Sequence, residues 1–77
     1  MTNFLHDLKQ AAGEIEGSAA ENLRGVLTAG WTSSSEMYGE IGLAIRRIEG
    51  SNPDLPDSVR AVFARAIEEI HKVWPEI

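Results

Sequence analysis

The run Asp57-Ser58-Val59-Arg60-Ala61-Val62-Phe63-Ala64-Arg65-Ala66-Ile67-Glu68-Glu69-Ile70-His71-Lys72-Val73-Trp74 admits one secondary structure. Val59, Val62, Phe63, Ala66, Ile67, Ile70, Val73 and Trp74 recur at steps of three and four, which places them on one face of an α-helix. Arg60, Arg65, Glu68, Glu69 and Lys72 lie largely off that face. Upstream, Asp54-Leu55-Pro56-Asp57 has the chemistry of a helix start: a capping acid, a proline allowed in the first turn, and a second acid favoured by the positive end of the helix dipole. Pro75 stops the helix because it has no amide hydrogen to donate. The spacing predicts a helix over about 55–74.

The same period extends backwards through the chain. Met37, Tyr38, Ile41, Ala44, Ile45 and Ile48 mark a helix over about 33–49, opened by Ser33 and Glu36 at capping-box spacing and closed by Gly50, Ser51, Asn52 and Pro53. Gly39 and Gly42 stand inside it, where each costs about 1 kcal/mol relative to alanine, so they are expected to let another backbone come close. Phe4, Leu8, Ala12, Ile15, Ala19, Leu23 and Val26 form one further stripe. Gly17-Ser18 interrupts it, and Ser18 to Glu21 again has capping-box form, so two helices are predicted, about 3–16 and 19–29, with Gly30 as a left-handed C-cap. No segment alternates with the period of a strand. The fold class is therefore all-α, a compact three- or four-helix bundle with short antiparallel connections, and residues 1–77 read as one helical domain and a complete small product.

With 77 residues and no cysteine, the chain can rely on neither disulfides nor a thiolate zinc site, and tight packing or self-association must supply its stability. Twelve acidic against seven basic residues give a net charge of -5. Phosphate backbones are bound by clustered Lys and Arg, so no direct nucleic-acid partner is expected, and basic protein surfaces suit the charge better. The first residues, Met1 to Asp7, carry no apolar segment of signal type, and no run reaches membrane-spanning length. A cytoplasmic protein without a membrane partner is the expectation.

Each candidate for chemistry lacks a companion. Glu68 and His71 make a Glu-x-x-His pair of the kind that binds di-iron centres in helical bundles, but that site needs a second such pair and two further glutamates, and His6 has Asn3 three residues before it. No metal is expected. Ser33, Ser34 and Ser35 could supply a nucleophile, yet no histidine stands near them in sequence and no strand-turn-helix elbow surrounds them, so helix capping is their simpler role. Arg46 and Arg47, the one adjacent basic pair, could grip a phosphate or an acidic partner, or oppose the negative end of their helix.

Ser35 through Glu40-Ile41-Gly42-Leu43-Ala44-Ile45 to Leu55-Pro56-Asp57 is similar to the central segment of acyl carrier proteins, over roughly a quarter of the chain. The resemblance implies a phosphopantetheine arm on Ser35. The family's Asp-Ser-Leu signature is Ser34-Ser35-Glu36 here, and the chain before Gly30 reads as helix where carriers have a long loop, so no cofactor is assigned.

Binding remains as the expected activity: a small acidic, non-catalytic protein that covers another protein's surface, as inhibitors, immunity proteins, antitoxins and phage anti-defence proteins do. Trp31, Ser33, Glu36, Tyr38 and Glu40 are the candidate partner-binding residues, because aromatic side chains anchor interfaces and the acids would meet a basic surface. Glu14, Glu16 and Glu21 extend the negative surface. Phe63, Ile67, Ile70 and Trp74 are the candidate residues for a homodimer. Two other readings use different features: a carrier or small-ligand binder working through the serine cluster, and a structural homo-oligomer.

Overall fold

Apolar residues that return every third or fourth position can leave water only if helices pack against one another. A computed structural model describes residues 4–15, 17–31 and 33–77 of the chain, and it contains α1 (Phe4–Ala12), α2 (Ser18–Thr28), α3 (Ser34–Ser51) and α4 (Asp57–His71). No strand occurs among the described residues. The four helices close into a ring: α1 packs on α2 and α4, and α3 packs on α2 and α4. Across the ring, α1 and α3 make no close backbone approach among the described residues, nor do α2 and α4.

One apolar core fills the ring and draws on every helix, with Leu8, Leu23, Ile41, Ile45, Val59, Phe63 and Ile70 fully buried. The radius of gyration is 11.4 Å, against about 11.5 Å for a compact domain of this length. No polar or charged residue is buried among the described residues, so the interior is shape-filling hydrocarbon and holds no hidden reactive group.

The helix boundaries depart from the sequence pattern for local reasons. α1 stops at Ala12, earlier than the expected end near residue 16, because the chain tightens there: Gly13 N donates to Gln10 O at 3.0 Å and Glu14 N to Ala11 O at 2.9 Å. Ile15 still drops into the core, which is why the apolar stripe keeps its phase across the break. Asn3, Glu16 and Thr32 lie outside the described residues. Ser18 is the first residue of α2 and does not cap it. Gly17 occupies the cap position at φ 74° and ψ -149° and has no side chain with which to cap the helix.

That backbone conformation is nearly closed to side chains, so Gly17→Ala is expected to cost about 1–3 kcal/mol although nothing lies within 4 Å of an added Cβ. Gly25→Ala, in the middle of α2 with equally open surroundings, should stabilise by about 1 kcal/mol. Urea midpoints of the two variants should move in opposite directions.

The ends of α3 and α4 also differ from expectation. Gly30 is not a left-handed cap: Ala29 ends α2 in an extended conformation, its N–H donating to Gly25 O. Ser33 does cap α3, its Oγ accepting from Glu36 N at 3.2 Å. α3 runs through Gly50 to Ser51, two residues beyond the expected end, and Asn52 closes it by donating both its main-chain N–H and its Nδ2 to Ile48 O. α4 begins at Asp57, with Pro56 rather than Asp54 at its cap. Arg60 holds the connection in place by donating to the carbonyl oxygens of Leu55 and Pro53. Helical structure ends at His71, before Pro75, and Val73 faces outward instead of joining the stripe.

Candidate functional site

Beyond α4 the chain turns back over α3. Val73 N and Trp74 N both donate to Ile70 O, and Ile77 N donates to Trp74 O at 3.2 Å. Arg46 fastens this tail, its Nε and Nη2 donating to Ile77 O at 3.1 and 3.0 Å. Trp74 and Ile77 are spaced like Gly39 and Gly42, and each residue of the tail sits over one glycine of α3. A Cβ at Gly39 would lie 3.4 Å from Trp74 Nε1, and a Cβ at Gly42 would lie 2.8 Å from Ile77 Cγ2 and 3.3 Å from Ile70 Cγ2. The glycines therefore admit side chains of the folded-back tail, where the sequence suggested another backbone.

The two positions should respond differently to alanine. Gly39→Ala meets only ordinary contact and restores helix propensity, so it should be neutral or stabilising by up to about 1 kcal/mol. Gly42→Ala overpacks Ile77 and Ile70 at a cost of about 1–3 kcal/mol against that same gain, and a net loss of about 1 kcal/mol is expected. Thermal melts of the two variants check this.

Where the tail crosses α3 it leaves an open groove of about 590 Å³ lined by Trp31, Glu36, Gly39, Glu40, Leu43, Trp74 and Ile77. Both indoles are held by hydrogen bonds to main-chain oxygen. Trp31 Nε1 donates to Val26 O at 2.9 Å, near the end of α2, and Trp74 Nε1 donates to Ser35 O at 2.7 Å, in the first turn of α3. With its N–H satisfied, each ring offers only apolar surface and a π face to whatever enters. Leu43 is half exposed on α3, off the buried face formed by Ile41, Ala44, Ile45 and Ile48. Glu36 and Glu40, one helical turn apart, supply the charged side chains of the lining among the described residues.

Of the residues expected to bind a partner, the fold brings Trp31, Glu36 and Glu40 to this groove and adds Trp74. Ser33 is occupied as a helix cap, and Tyr38 turns to Phe4 in an edge-to-face contact with ring centroids 5.4 Å apart. Phe63, Ile67 and Ile70 are buried in the core of the chain itself, at 0, 7 and 0 % exposure. Arg46 and Arg47 do not act as a pair, because Arg46 serves the tail while Arg47 borders a recess with Ser18 and Asn22 of α2. Glu68 and His71 are exposed on α4, and no group of metal-binding side chains gathers among the described residues. Leu43 and Ile77 escaped the sequence reading. Leu43 had one signal available, a large apolar residue out of phase with its own helix.

The arrangement defines a small all-α bundle carrying an apolar groove with two fixed indoles and an acidic edge, a surface suited to non-covalent binding. No family model matches the chain, and no curated protein or solved structure matches it either. Among the described residues no helix is long and apolar enough to cross a membrane.

Proposed function

We propose that the chain is a non-catalytic binding protein that covers part of another protein, in the manner of small inhibitors, immunity proteins, antitoxins or phage anti-defence proteins. The groove carries this reading. It places two tryptophans whose polar atoms are already satisfied beside a half-exposed leucine, which is the composition of an interface centre. A cytoplasmic place of action belongs to the same proposal, with the cysteine-free composition as its support.

A photoreactive amino acid at position 43, introduced in the native host, tests the proposal directly. A discrete cross-linked protein at position 43, missing when the label stands at exposed position 21 outside the groove, is the expected result. Equal labelling from both positions, or none from either, would remove the groove from consideration. The mass of the isolated chain tests the carrier reading at the same time: an adduct on Ser33, Ser34 or Ser35 would favour it over binding.

A further inference from the structure

We infer that the partner element seated in the groove is a cationic amphipathic helix, with an apolar side chain packed on Leu43 and Ile77 between the indoles and basic side chains set against Glu36 and Glu40. The inference rests on the proposed binding function and specifies its partner.

Charge complementarity selects this occupant. The apolar bed of Trp31, Leu43, Trp74 and Ile77 calls for a bulky hydrocarbon group, while the charged side chains in the lining, among the described residues, are those of Glu36 and Glu40. Their spacing along α3 matches lysines or arginines one turn apart on a docked helix. Indole faces also attract ammonium and guanidinium groups, so a basic side chain that strays across the groove meets no penalty. A second copy of the chain fits poorly. In a symmetric pair joined through this groove the glutamates of both copies would be gathered into one interface, in a molecule that already carries a net charge of -5. An acidic peptide would bring like charge against the carboxylates.

The chain supplies its own reporter, because its only two tryptophans both line the groove. The full chain is titrated with a synthetic amphipathic helix of leucine and lysine, about 14 residues long, and tryptophan emission is followed. A saturable emission change is expected with this peptide and not with its glutamate counterpart. The double variant Glu36→Gln/Glu40→Gln should weaken binding about 2- to 30-fold, the range two partly exposed ion pairs span. Leu43→Ser should weaken it about tenfold or more. The control Glu21→Gln/Glu68→Gln changes net charge equally at exposed sites outside the groove and should bind as the unaltered chain does.

Equal weakening by both double variants would reduce the effect to overall charge and overturn the proposal. An emission change that tracks protein concentration without peptide would overturn it in favour of a second copy. A protein cross-linked at position 43 together with peptide binding indifferent to Glu36 and Glu40 would leave the binding function standing and remove the cationic partner. The absence of any cross-linked protein, with peptide binding as expected, would strike at the function instead.

Discussion

Ile70→Asp is expected to yield an unfolded chain. Ile70 is fully buried among the core side chains of the ring, and its Cγ2 lies under Gly42 of the neighbouring helix. Removing the branched side chain alone costs about 2–5 kcal/mol. The carboxylate then has no basic partner, since no charged or polar residue is buried among the described residues, and it must either stay ionised in hydrocarbon or take up a proton at a further cost of a few kcal/mol. Together these match the whole stability of a small domain, about 5–15 kcal/mol. Far-ultraviolet circular dichroism should show the loss of helix, while Ile70→Val, costing about 0.5–1.5 kcal/mol, should keep a cooperative melt. A folded, helical monomer of Ile70→Asp would mean that this face belongs to a partner and not to the core.

That outcome separates two readings that the sequence leaves equivalent. The stripe of Phe63, Ile67, Ile70 and Trp74 is apolar whether it meets the chain's own helices or a second copy, because periodicity reports which residues share a face and not what covers it. Element type was legible for the same reason: apolar steps of three and four exist in every helix, and no competing period of two appears. Boundaries were less legible. Ser18 and Asp54 have the right side chains for caps, but Gly17 and Pro56 take those positions because the path of the chain between neighbouring helices sets where each one starts. Gly50 has the chemistry of a stop, yet α3 continues until Asn52 supplies two donors to Ile48 O. The groove was half legible. Trp31, Glu36 and Glu40 carry recognisable interface chemistry, whereas the contribution of Leu43, Trp74 and Ile77 depends on the tail folding back onto Gly39 and Gly42, a long-range event with no local signature.

The tail is also where stability and binding meet, and Trp74→Ala should affect both. The indole packs over Gly39, donates to Ser35 O at 2.7 Å, and begins the turn in which Ile77 N returns to Trp74 O. A fully buried aromatic lost to alanine costs about 3–5 kcal/mol, and this ring is half buried, so about 2–3 kcal/mol is expected. Trp74→Phe keeps most of the apolar surface and removes only the donor. Ser35 is exposed, water can replace the lost bond, and the cost should fall to about 0.5–1.5 kcal/mol. Denaturant midpoints of the two variants therefore divide packing from hydrogen bonding. Binding should not follow the same ratio. Trp74→Ala deletes one wall of the groove and frees Ile77 from its seat, so cross-linking at position 43 should be lost even in conditions where the variant is folded. Trp74→Phe should retain it. Should Trp74→Ala bind undiminished while folded, the tail would be a latch for stability alone, and the partner would rest on Trp31 and Leu43 without it.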